Sequence, residues 1–160
     1  MGGETLSLFF ERNDRMEKLN LERNKDDFYI LEVNDKGDTI EFDLTDISLP
    51  ERIIEASELI RKLDKEYQEE YKKIVVENGT DLSSKIIKLE KEQCKKMRNA
   101  FDMFLGEGSC QKIFGNKNYY GMFPELFDAL EPHFKKMEIK QKKARQKLVE
   151  KYLPTNNNVM

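Results

Sequence analysis

Chemistry-bearing residue types are scarce in this chain. There is one histidine, there are two cysteines, and there is no tryptophan among 160 residues. Cys94 and Cys110 fall in separate predicted elements without metal-ligand spacing, so neither a zinc site nor a disulfide framework is indicated, and free thiols in a reducing compartment fit. His133 follows Pro132 without a paired cysteine or carboxylate motif and reads as a structural residue. The N-terminal residues show no basic segment followed by an apolar run, and no stretch approaches the length of a membrane span, so a soluble, cytoplasmic protein without membrane contact is expected. No nucleophile with its base, metal cluster or phosphate cradle can be assembled, which argues for binding and not catalysis, with no cofactor and no metal.

What the chain does have is charge. Hydrophobic residues make up 38% and charged residues 37%, so apolar side chains must occupy narrow faces of elements whose other faces are wet. Glu66, Glu69, Glu70 and Glu77 alternate with lysines at helical spacing and read as a solvated face. The net charge of −3 argues against a general nucleic-acid binder but hides an asymmetry, because residues 135 to 151 carry eight bases and two acids. Head-to-tail attraction between like subunits, or docking to an acidic partner, is the favoured reading of that segment. A solvated face and nucleic-acid contact remain the alternatives.

Residues 1–27 read as an N-terminal extension, either a mobile arm or a short helix with Leu8, Arg12, Met16 and Leu19 on one face. A core domain is expected over 28–134, a basic helix over 135–153 and a disordered tail over 154–160. Phe28 to Val33 and Thr39 to Leu44 are β-prone runs around Asn34-Asp35-Lys36-Gly37-Asp38, a β-hairpin whose Ile40, Phe42 and Leu44 share one face. Ser48 and Glu51 predict a capping box for a helix to about Glu77 with its stripe at Ile53, Ala56, Ile60, Leu63, Tyr67, Tyr71 and Ile74. Asn78-Gly79 stops it, and Thr80 or Asp81 caps a second helix with Leu82, Ile86, Leu89, Cys94, Met97, Phe101 and Phe104 on one side. These two form a long helical hairpin whose arms expose a ridge. Pro124 starts a further helix, and Pro132 is expected to kink it or part it from the basic segment. The fold class is therefore mostly α (α+β).

Between the second and last helices, Phe101 to Gly115 holds three glycines and four aromatic or aliphatic anchors, which makes it a built corner. Gly106-Glu107-Gly108 is no dinucleotide fingerprint, since Gln111 stands where the third glycine belongs and a helix precedes the loop. This corner, with Lys112-Ile113-Phe114-Gly115, a hairpin ahead and an aromatic helix from Phe123 to Phe134 behind, resembles the tail assembly chaperone family of long-tailed bacteriophages and prophages. The likeness spans residues 39 to 134; Leu105 stands where that family more often has an aromatic.

The resemblance implies a homo-oligomeric protein of the host cell cytoplasm that coats the tape measure protein and supports assembly of the tail tube protein. Phe101, Phe104, Leu105, Gly106, Glu107, Gly108, Phe114, Phe123 and Phe127 are its expected partner-binding residues. A nucleic-acid-associated regulator and a virion structural or adaptor subunit are the alternatives.

Overall fold

The structure, a computed structural model, describes residues 16–21, 24–78 and 84–153. The expected stop at Gly79, the cap at Thr80 or Asp81, Leu82, the Leu8 and Arg12 helix positions and the tail at 154–160 lie outside them. Residues 16–21 are exposed and carry no regular structure. A 3-10 turn at Lys25–Asp27 leads into strands β1 (Phe28–Glu32) and β2 (Thr39–Asp43), then helices α1 (Leu49–Asn78), α2 (Ser84–Leu105), α3 (Ser109–Phe114) and α4 (Met122–Tyr152). The expected mostly helical α+β architecture is the one found.

The strands pair antiparallel with Leu31 opposite Ile40 and Tyr29 opposite Phe42. Period-two alternation puts Ile40, Phe42 and Leu44 in the core while Thr39 and Glu41 face out. A lone two-stranded sheet is marginal in water, and this one leans on the helices. Burial of Ile40 and Phe42 is worth about 1.5–3 kcal/mol each. At the turn, the Asn34 side chain accepts from the Lys36 and Asp38 N–H groups and donates to the Lys112 carbonyl at 2.9 Å. Lys112 in turn donates to the Thr39 carbonyl at 3.2 Å.

At the start of α1 the predicted cap is rearranged. The Ser48 hydroxyl donates to Asp46 at 2.6 Å and accepts from Arg52, which also pairs with Asp46 at 3.1 Å. Asp46 lies in reach of both Ser48 and Arg52, and these bonds, the Ser48 hydroxyl and N–H first, hold its carboxyl below the usual carboxylate range. The α1 and α2 stripes meet as expected, and Gln93 is buried between them, donating to the Leu63 carbonyl at 2.7 Å.

The expected break at Pro132 does not occur: α4 runs unbroken through it, so the core domain and the basic segment share one helix. Proline removes one N–H and crowds the turn before it, but Pro132 and Asp128, whose carbonyl loses its partner, lie on the exposed side where water substitutes. Leu130 and Met137 are buried on either side of the proline and hold the helix to the body. Pro132→Ala should therefore stabilise the fold, by about 2 kcal/mol after the entropy proline removes from the unfolded chain is subtracted. An unchanged or lower denaturation midpoint would show that the missing bond costs nothing here.

Candidate functional site

The corner is assembled around one carboxylate. Asp102, in the last turn of α2, accepts from the Gly108 N–H at 3.1 Å with one oxygen and from the Cys110 N–H at 2.9 Å with the other. A carboxylate aimed at the opening N–H groups of a following helix does for α3 what a capping side chain does locally. To bring those groups round, the backbone takes φ +107° at Gly106 and +80° at Gly108, values that any Cβ would strain. Ser109 adds a hydroxyl bond to the Leu105 carbonyl at 2.9 Å. Arg98 closes the other side, donating to the Gly115 and Lys117 carbonyls at 2.8 and 2.7 Å.

Four of the nine expected partner-binding residues are turned inward. Phe101, Phe104, Leu105 and Phe123 are buried, with Phe101 fully inaccessible. Phe101 packs against Phe104 and Phe123 with ring centroids 5.9 and 5.8 Å apart, and Phe114 meets Phe123 edge-on at 5.6 Å. Their apolar surface is spent on the chain's own core, so they cannot form an open contact face. Phe114 and Phe127 are half-buried against that core, Gly108 is half-buried, and Gly106 and Glu107 are exposed.

The loop before α4 is pinned by groups that sequence reasoning missed. The Tyr120 hydroxyl donates to Asp64 at 2.5 Å, its N–H donates to Glu90 at 2.9 Å, and its ring stacks on Tyr67 at 3.8 Å. Burial, then the Asp64 contact, push the Tyr120 phenol far up, and burial first and Glu90 second push Tyr67 up to about 12. Both stay neutral, and Tyr120 acts as a donor. His133 is also tethered: its Nδ1 lies 2.6 Å from the Tyr29 hydroxyl, tying α4 to β1. Cys94 and Cys110 are free and buried, and burial, with nearby Glu90 acting second, pushes the Cys94 thiol up to about 11. Burial pushes the Cys110 thiol up as well, so both stay protonated at neutral pH. Among the described residues no cluster of three histidine, cysteine, aspartate or glutamate side chains is placed to hold a metal ion.

One opening remains near the expected residues. Beside the start of α4 lies a cleft of about 170 Å³ with Ile60, Phe123, Pro124 and Phe127 as its apolar part and Arg61, Asp64 and Asp128 as its polar part. Its size suits one large side chain, since an apolar cavity of about 150 Å³ accepts benzene. Of the nine candidates only Phe123 and Phe127 line it.

Residues 36–158 match DUF6673, a family of unknown function. The chain belongs to the DUF6673 family. The match takes in β2, all four helices and the corner, and stops short of β1. No curated protein and no solved structure matches the chain. Among the described residues of this DUF6673 protein, no helix is long and apolar enough to cross a membrane.

Proposed function

We propose that this DUF6673 protein is a non-catalytic tail assembly chaperone that works in the host cell cytoplasm, holding the tape measure protein soluble and supporting assembly of the tail tube protein. The reading starts from the Gly106-Glu107-Gly108 corner followed by Lys112-Ile113-Phe114-Gly115, the elements on which the resemblance rests. The observation that carries it is the cleft beside α4, apolar within and charged at Arg61, Asp64 and Asp128. A long amphipathic client helix presents large apolar side chains at regular spacing with polar residues flanking them. Such a knob fits the cleft while the flanking charges meet the polar rim.

Co-expression tests it. The full chain should raise the soluble yield of the tape measure protein encoded in the same tail module. Phe127→Lys and, separately, the rim substitution Asp128→Lys should abolish that gain, and Asp128→Lys should do so while leaving the chaperone's own yield intact. Asp128 is exposed, so its variant does not threaten the fold. No gain from the parent chain, or a gain that both variants retain, would overturn the reading.

A further inference from the structure

Two contacts fix the direction of α4. Tyr120, just before the helix, reaches Asp64 in the middle of α1, whereas Gln141 donates to the Asp46 carbonyl just before α1 begins. The helices therefore run antiparallel, and beyond Gln141 α4 has passed the start of α1. From there to Tyr152 it continues for about 17 Å with every residue exposed. The face that buries Met137 and half-buries Gln141 carries on at helical spacing through Ala144, Leu148 and Tyr152, and the last two are 53% and 71% exposed. This overhang also carries Lys142, Lys143, Arg145, Lys147 and Lys151 against a single acid, Glu150.

The far ends of α1 and α2 overrun α4 in the other direction. Where α1 and α2 pass the Asp64 and Glu90 contacts to Tyr120, they form a groove of about 360 Å³ lined by Glu66, Glu69, Glu70 and Glu92, with Leu89 half-buried in it and Lys96 the one base. Lys73 pairs with Glu70, whereas Glu66, Glu69 and Glu92 have no ion-pair partner among the described residues.

We propose that the α4 overhang of one molecule docks in this acidic groove of a second copy, joining copies head to tail. The bare seam at Leu148 and Tyr152 covers Leu89, and the flanking bases face the unpaired glutamates. Charge complementarity selects the occupant, because a second copy supplies acids beside an apolar contact. A nucleic acid would engage the bases but leave Leu148 and Tyr152 uncovered. Since the groove begins at Glu66, about 26 Å along α1 from the end beyond which the overhang projects, one molecule cannot satisfy both by itself, and the contact is heterologous: it propagates as an open chain or closes as a ring. The proposal is independent of the client's identity.

Light scattering on the isolated full chain tests it. The mean mass should rise by about twofold or more with concentration, and should fall between about 0.05 and 0.5 M salt as the charges are screened. Leu148→Asn with Tyr152→Asn leaves the groove intact, and Glu66→Gln with Glu69→Gln and Glu92→Gln leaves the overhang intact. Each variant alone should be monomeric, and their mixture should stop at a dimer, because only one productive pairing survives. Melting curves matching the parent's would confirm that both variants fold. A monomeric parent at every concentration, variants that assemble as the parent does, or a mixture that grows past two would overturn the proposal. So would a monomeric parent whose overhang bases hold duplex DNA at low salt.

Discussion

Phe101→Ala should cost about 4 kcal/mol of folding stability, the largest loss expected from any single truncation in this chain. Phe101 is fully inaccessible and sits between Phe104 and Phe123, so removing its ring deletes apolar contacts on both sides at the junction of α2 and α4. The surrounding helices are held by Arg98, Asp102 and Tyr120 and cannot close on the void. Against a total of about 5–15 kcal/mol for a domain, such a loss is a large fraction. Thermal melting should show it as a fall of about 12 °C. Phe101→Leu, which keeps most of the volume, should cost about 1.5 kcal/mol. Equal melting temperatures for the alanine variant and the parent would mean that the ring is not core.

Asp102→Ala should rank second, at about 3 kcal/mol, although its side chain is not part of the apolar core. Its two oxygens satisfy the Gly108 and Cys110 N–H groups, and alanine leaves both unpaired where the corner partly excludes water. Asp102→Asn keeps one acceptor oxygen but turns an amide N–H₂ toward the other donor, so it should recover about half of the loss. Urea unfolding measures the series. A ranking in which asparagine is as damaging as alanine would show that charge, and not acceptor count, holds the turn.

Much of this fold was legible because it follows from local periodicity. The alternation of Ile40, Phe42 and Leu44 and the stripes through Ala56, Ile60 and Leu63 and through Cys94, Met97 and Phe101 mark core faces, and all of these residues are buried. The glycine corner was also readable, since Gly106 and Gly108 both adopt positive φ. The helix is not parted at Pro132, because Leu130 and Met137 fasten it on either side, which local propensity, weighing only the lost bond, does not register. Ser48 matched a capping pattern but was drawn away by Asp46, a neighbour two residues earlier.

The candidate site was less legible, for a physical reason. A periodic aromatic stripe reports that a face is covered, not whether its own chain or another covers it, and Phe101, Phe104, Leu105 and Phe123 are covered at home. Asp102 left a usable signal, an acidic residue one turn before a positive-φ glycine. The pairings of Tyr120 with Asp64 and of Asn34 with the Lys112 carbonyl left none. They join residues 56 and 78 positions apart, a separation at which sequence carries no pattern.

The hairpin's anchors have a bearing on synthesis. β1 and β2 leave the ribosome early, yet Lys112, His133 and Gln141, which hold the sheet and the segment after it in place, are made far later. A two-stranded ribbon has little standing of its own, so it waits, fluctuating, until α3 and α4 have emerged. Packing of this sheet is accordingly a late step in the folding of the domain, completed when α4 swings back across strands made well before it.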